Sequence, residues 1–347
     1  MLESMGLLFG HVRGGLAVST VVVGMLLAAS TGVVGASVVT MGLIALPVML
    51  KYHYDKQLAS GVICASGTLG QIIPPSIVLI ILGDVLHQPV GDFYRAALLP
   101  GLLLVVLYIF FCLAVAYLNK DSAPPLPRST KLAALDYWRA FKTIVPALML
   151  VVVVLGTVIA GVATPTESAA MGAVGAIILA LLEVARVFNA ASGCNGNHEN
   201  QCHGFYHSGG RDIFSMVFTY TVAMKRLKQL WCISRRSMGF CRADDDHHFL
   251  AGFFIDFVEI AYIFVPMIAP VLLKLGIDPL WFSIQLLLNL QASFLTPPFG
   301  FSLFYLRGVA SEAISTMEIY RGVIPFIFLQ LIALVIVMLF PGIVRVF

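Results

Sequence analysis

The stretch PVMLKYHYDKQLASGVICASGTLGQIIPP, residues 47–75, is answered at residues 270–298 by PVLLKLGIDPLWFSIQLLLNLQASFLTPP. The two align without a gap and share Pro47/Pro270, Val48/Val271, Leu50/Leu273, Lys51/Lys274, Asp55/Asp278, Ser60/Ser283, Pro74/Pro297 and Pro75/Pro298. Apolar composition alone would match about two or three positions, so the chain reads as internally duplicated. Each copy is followed by Tyr-Arg and then a proline, Tyr94-Arg95 with Pro100 and Tyr320-Arg321 with Pro325.

Each copy carries its Pro-Pro pair inside a charge-free run, Gln57 to Gly83 and Pro279 to Leu306. Proline lacks the N–H and clashes with the preceding turn, so neither run can be one unbroken helix. Inside a bilayer such a break frees carbonyls that only protein or a water-filled cavity can satisfy. Broken helices at matching positions of two repeats are the pattern of a secondary transporter, with the site between the halves. The alternative is a pair of proline-kinked helices packed for shape alone.

Composition supports a membrane setting. Hydrophobic residues are 59% and charged residues 11% of the 347, and mean hydropathy is +0.95. The expected fold is an all-α polytopic membrane protein, internally duplicated with broken helices or re-entrant hairpins, as in ion-coupled transporters with inverted repeats. Its principal surroundings are the lipid bilayer. A net charge of +3 spread through loops gives no case for nucleic acid. Cys64 and Cys112 lie in apolar runs, and no CxxC motif or disulfide framework is present. Neither HExxH nor a paired GxGD aspartate occurs, and His53 and His87 are isolated, so an intramembrane protease is not indicated and no enzyme is expected.

Residues 1–119 form the first transport repeat. Gly14 to Leu50 is charge-free and too long for one span of about 20 residues. Ser30-Thr31-Gly32 in its middle suits a hairpin or broken helix whose backbone turns toward an ion or anion; a tilted helix with a small-residue face is the other reading. Ala96 to Asn119 is an ordinary span. Residues 120–142 carry Lys120, Arg128, Lys131, Arg139 and Lys142, which assigns this loop to the cytoplasm, with an interfacial helix from Ser129.

Residues 143–186 read as a helical hairpin broken at Thr164-Pro165-Thr166-Glu167. Thr at the N-cap, Pro at N1 and Glu at N3 make a capping box, although a carboxylate at membrane depth also suits a cavity wall. Residues 187–248 depart from the rest in composition, with four of the six cysteines and five of the eight histidines. Cys194, His198, Cys202, His203 and His207 match no metal-ligand spacing. Read one base later, Asn197 to Asp212 and Gly239 to His248 can both encode apolar segments, so the window is expected to be translated out of frame around an in-frame island near Phe214 to Thr221. In residues 249–347, the second transport repeat, Asp256 and Glu259 share a helical face as an ion-path lining or as rim caps. Gly322 to Val344 is the last span.

The strings AASTGVVGASVVTMG, SGTLGQIIPPSIVLIILGD, ATPTESAAMGAVGA, LAGFFIDFVEIA and NLQASFLTPPFGFSLFYLRGVA together resemble the DctM-like large membrane subunit of tripartite ATP-independent periplasmic (TRAP) transporters. The resemblance spans nearly all of Met1 to Arg186 and Phe249 to Phe347. It implies a multi-pass importer of organic acids in the bacterial inner membrane, working by an elevator-type movement. Its partners would be a small DctQ-like membrane subunit and a periplasmic substrate-binding protein. It implies no cofactor and no tightly bound metal, with Na+ as the coupling ion. Carried over by motif, the substrate and ion sites involve Ser30, Thr31 and Gly32; Gln71, Pro74, Pro75 and Ser76; and Thr296, Pro297, Pro298 and Gly300. Thr164, Thr166, Glu167, Asp256 and Glu259 follow with less defined roles.

Against that family the sequence starts inside the first hairpin region, and residues 187–248 lack an expected span. A chain missing these parts is expected not to transport, being a remnant or, on another reading, a membrane scaffold. Sequencing the gene tests the frame: its codons for Asn197 to Asp212 and Gly239 to His248 should yield apolar segments one base later. Polar or stop-containing readings in both other frames would end the idea.

Overall fold

The computed structural model describes residues 13–119, 122–125, 145, 149–150, 152–188, 260–265, 276–297, 300–310 and 314–345, with no strand among them. The first described helices are α1 (Gly15–Thr31) and α2 (Val34–Lys51). Gly32 between them sits at φ 64°, the left-handed region open to glycine without strain. The far ends of the pair meet: the Leu16 N–H donates to the Tyr54 hydroxyl at 3.3 Å, and Thr20 Oγ1 lies 3.8 Å from Met49 Sδ. The long charge-free segment is therefore an antiparallel hairpin, not one tilted helix.

The first proline-interrupted unit follows as α3 (Lys56–Thr68), a 3-10 turn (Leu69–Gln71) and α4 (Ile77–Val85), with Pro74-Pro75 in the break. Asp55 caps α3 by accepting from the Gln57 N–H at 3.4 Å. The next helix, α5 (Val90–Leu118), begins six residues before the expected Ala96, because Pro89 presets its entry and Asp92 pairs with Arg95 at 3.8 Å. A helical stretch over 152–159 then pairs antiparallel with α6 (Pro165–Phe188), where Thr157 Oγ1 and Ser168 Oγ are 2.9 Å apart.

The second unit repeats the first in detail. Asp278 caps α7 (Pro279–Leu295) by accepting from the Leu280 N–H at 3.0 Å. Ser283 Oγ donates to the Pro279 carbonyl at 2.8 Å, as Ser60 Oγ does to that of Lys56 at 2.8 Å. After the break comes α8 (Phe301–Val309), nine residues long like α4. The final helix, α9 (Thr316–Leu339), starts six residues before the expected Gly322, because Ser315 and Glu318 form a capping box there. It stops short of Val344, which lies in a 3-10 turn (Pro341–Arg345).

The direction of each unit can be measured against α9. At the start of α9, Glu318 lies 3.9 Å from Lys56 at the start of α3. Further along, Gln330 Nε2 donates to Thr68 Oγ1 at 3.4 Å, so α3 runs parallel to α9. At the other end, Trp281 Nε1 donates to the Val337 carbonyl at 3.0 Å, and Arg345 pairs with Asp278 at 2.8 Å. The start of α7 therefore lies at the end of α9, and the two repeats are inverted. Their breaks meet in the middle, where Gln291 Nε2 donates to the Thr68 carbonyl at 2.9 Å. Residues 68 and 291 are separated by the same offset as Asp55 and Asp278, so equivalent positions touch and the contact lies on the axis relating the halves.

Among the described residues three helices, α2, α5 and α9, are long and apolar enough to cross a membrane. On α5 Leu102, Val106 and Phe110, and on α9 Ile324, Phe328 and Ile332, present exposed apolar stripes at helical spacing, while small and polar residues face inward. The tightest inward contact is between α3 and α9. A Cβ on Gly61 would overlap the Gly322 carbonyl, and one on Gly322 would overlap that of Gln57. The backbones touch as in glycine-mediated membrane helix pairs.

Gly61→Val should therefore cost more than about 3 kcal/mol of stability, since backbone cannot yield to the added side chain. Gly308→Ala, where nothing lies within 4 Å of the new methyl, should be neutral. Thermal unfolding in detergent separates the two outcomes.

Candidate functional site

The helix starts are of two kinds, with and without a side-chain cap. Side chains cap α3 (Asp55), α6 (Thr164), α7 (Asp278) and α9 (Ser315). The helices that start at the breaks have no side-chain cap, α2 following Val33, α4 Ser76 and α8 Gly300, and α1 after Gly14 and α5 after Pro89 also lack one. Ser76 is a residue type that normally caps, but its hydroxyl donates back across the break to the Gln71 carbonyl at 2.6 Å. The first N–H groups of α4 thus keep the partial positive charge that favours an anion.

These inner ends are neighbours. A Cβ on Gly32 would lie 3.2 Å from Ile77 Cγ1, which sets the α1/α2 turn against the start of α4. A Cβ on Gly35 would press on the Tyr305 ring, and one on Gly42 on Val309, so α2 also covers α8. Cys64 Sγ contacts the Ser302 carbonyl at 3.7 Å and joins α3 to the start of α8. The structure thus sets Thr31 and Gly32 against the Ser76 end of α4, and the Gly300 end of α8 against α2 and α3.

The hydroxyls here share a pattern. Thr31 Oγ1 and Ser37 Oγ are 2.6 Å apart, and Ser37 Oγ also bonds the Val33 carbonyl at 2.9 Å. Thr296 Oγ1 donates to the Ala292 carbonyl at 2.7 Å, and Ser302 Oγ to that of Phe294 at 2.9 Å. A hydroxyl whose proton goes to a carbonyl keeps lone pairs for a cation, and hard cations take such neutral oxygens. Gln71 is the unusual member: it is 1% exposed, and among the described residues neither its Oε1 nor its Nε2 has a partner. A buried amide left this way costs about 1–3 kcal/mol unless something else bonds it.

The remaining expected residues lie elsewhere. Ser30 is on the last turn of α1. The Thr164–Glu167 motif is a realised capping box: Glu167 Oε2 accepts from the Thr164 N–H at 2.8 Å, and the Glu167 N–H donates to Thr164 Oγ1 at 3.3 Å. Both residues are exposed, and Thr166 lines an open cleft with Ile80, Asp84, His87 and Tyr262 at the outer end of α4. In the same region the Arg95 guanidinium donates to the Ile159 carbonyl. Pro74, Pro75 and Pro297 occupy the breaks, whereas Asp256, Glu259 and Pro298 lie outside the described residues, as does nearly all of 120–142 and 187–248. The sequence reading passed over Thr68, Tyr108, Gln291 and Gln330, all 0% exposed; glutamines in otherwise charge-free runs were the available signal.

Comparison with known proteins places these features in context. A sequence model described as "Tripartite ATP-independent periplasmic transporter, DctM component" matches residues 1–343. The C4-dicarboxylate TRAP transporter large permease protein DctM of Vibrio cholerae is 30% identical over 355 residues, covering 96% of this chain and 77% of the relative. Its counterpart in Rhodobacter capsulatus is 31% identical over 358 residues, covering 96% and 78%. The sialic acid TRAP transporter permease protein SiaT of Haemophilus influenzae is 25% identical over 350 residues, covering 97% and 54%.

Replacing Gln71 by Leu should raise the unfolding temperature of the ligand-free protein, because an unbonded buried amide is removed. The same change should abolish any further stabilisation by sodium and a carboxylate added together. A Gln71→Leu protein that is destabilised yet still responds to both ligands would show that the amide has a structural role only.

Proposed function

Because the chain belongs to the DctM component family of tripartite ATP-independent periplasmic transporters, we propose that it is the large permease subunit of a sodium-coupled secondary transporter importing a carboxylate-bearing organic anion. In this reading a periplasmic binding protein delivers the anion, a small DctQ-like membrane subunit completes the permease, and the assembly works in the bacterial inner membrane. The observation that carries it is the buried, unpartnered Gln71 amide at a break where α4 starts without a cap. The amide Nε2 and the free N–H groups of α4 suit a carboxylate, while Gln71 Oε1 and the Thr31, Ser37 and Thr296 hydroxyls suit sodium. The relatives' names support the substrate class, since C4-dicarboxylates and sialic acid both present carboxylates.

Inversion of the two repeats supports alternating access, because each state of one half has a counterpart in the other. Coupling then needs only that cation and anion bind better together than apart. A sodium held by neutral oxygens supplies that preference through its attraction for the incoming carboxylate.

A second reading is favoured by the composition of residues 187–248. If that window is out of frame, the chain is a non-transporting remnant of such a permease. Uptake of radiolabelled C4-dicarboxylate or sialic acid in a strain lacking its own large subunit, supplied with a small subunit and a binding protein, decides between them. The expected result is no uptake by the present sequence and sodium-dependent uptake once 187–248 is restored to frame. Robust sodium-dependent uptake by the present sequence would overturn the remnant reading, and none by well-expressed restored protein would overturn the permease reading. In the active version, Gln71→Ala should weaken the apparent substrate affinity by about 10- to 100-fold.

A further inference from the structure

Where the two repeats touch, four polar residues are sealed from solvent: Thr68 on α3, Tyr108 on α5, Gln291 on α7 and Gln330 on α9. Their hydrogen bonds can be counted from chemistry alone. The Thr68 hydroxyl donates to the Ala65 carbonyl at 2.9 Å, so its oxygen is left only to accept. The Thr68 carbonyl can also only accept. Both amides therefore present their NH2 groups to Thr68, Gln291 to the carbonyl at 2.9 Å and Gln330 to the hydroxyl at 3.4 Å. The two Oε1 atoms are thereby turned away from Thr68, and neither has a partner among the described residues.

One donor remains close by. The Tyr108 hydroxyl sits beside the Gln330 and Thr68 side chains, on a ring held edge-on to Phe326 with centroids 5.4 Å apart, and among the described residues it makes no hydrogen bond of normal length and angle. The unmet inventory is two acceptors and one O–H. We propose that these four residues form a binding site for a single buried water on the axis between the repeats. Such a water donates to Gln291 Oε1 and Gln330 Oε1 and accepts from Tyr108, making the three bonds usual for a buried water. A cation fits less well, since the cluster offers few neutral oxygens against the six or more that hard cations gather, and the Tyr108 proton needs an acceptor.

The consequence is structural and does not depend on whether the chain transports. Through Thr68 the water connects α3 with α5, α7 and α9, so both repeats share one hydrogen-bonded centre. Any sliding of one unit past the other would strand three buried polar groups at once. The site thus sets the register of the inverted halves at the point where their breaks meet.

A density map of the full chain at a resolution that shows waters should contain one peak within about 3.2 Å of all three oxygens. Tyr108→Phe and Gln330→Met should each lower the unfolding temperature in detergent by about 2–4 °C. The double variant should lower it by less than the sum, because both groups bond one molecule. These shifts should be equal in sodium and in choline. An empty map, additive shifts, or a Tyr108→Phe effect seen only in sodium would each overturn the proposal, the last in favour of a cation. If Gln330→Met fails to fold, the map and Tyr108→Phe in the two salts decide it.

Discussion

A peptide group without a partner costs several kcal/mol inside an apolar layer, and this chain interrupts two of its apolar helices with paired prolines. The rest of the architecture answers that constraint. Ser76 returns a hydroxyl to the Gln71 carbonyl, Ser302 does so to Phe294, and the Gly300 N–H bonds the Thr296 carbonyl at 3.0 Å. What local bonds leave unmet is shielded by the α1/α2 hairpin on one side and by the opposite repeat on the other. The breaks survive because each is covered by an element from a distant part of the chain.

That covering needs close approach, and small residues permit it. Gly61 and Gly322 let α3 and α9 touch along their backbones, while Gly32, Gly35 and Gly42 let the hairpin lie on α4 and α8. Polar side chains go to the same interior: Ser60, Ser66, Thr68, Gln71, Gln291, Ser293 and Gln330 are all buried. Without a hydrophobic drive between helices surrounded by lipid, such packing and hydrogen bonding carry much of the association. Among the described residues the interior is neutral but rich in oxygen and in helix ends. That environment can hold an anion and a cation together, and it gives neither a full countercharge that would trap it.

The two candidate regions differ in kind. Around the breaks, helices begin without caps and, among the described residues, the Gln71 amide is unbonded, features that raise the energy of the empty protein. At the Thr164–Glu167 turn every cap is made, and the glutamate expected to compete between cap and cavity serves as a cap. A carboxylate already accepting two short hydrogen bonds has less to offer a mobile ion.

The sequence alone determined the class of the molecule, the duplication, the positions of both breaks and the capping-box pattern of Thr164 to Glu167. All of these depend on composition or on residues within one helical turn, where proline geometry and cap chemistry act locally. It misplaced the starts of α5 and α9 because Pro89 and Ser315 set those ends more strongly than hydropathy did. It left open whether Gly14 to Leu50 folds back and which way the second repeat points. Only tertiary structure decided these, through contacts such as Leu16 with Tyr54, Glu318 with Lys56 and Trp281 with Val337. The buried cluster of Thr68, Tyr108, Gln291 and Gln330 was equally out of reach: whether a glutamine on an apolar helix meets lipid, water or its counterpart in the other repeat depends on packing, and no local pattern encodes it.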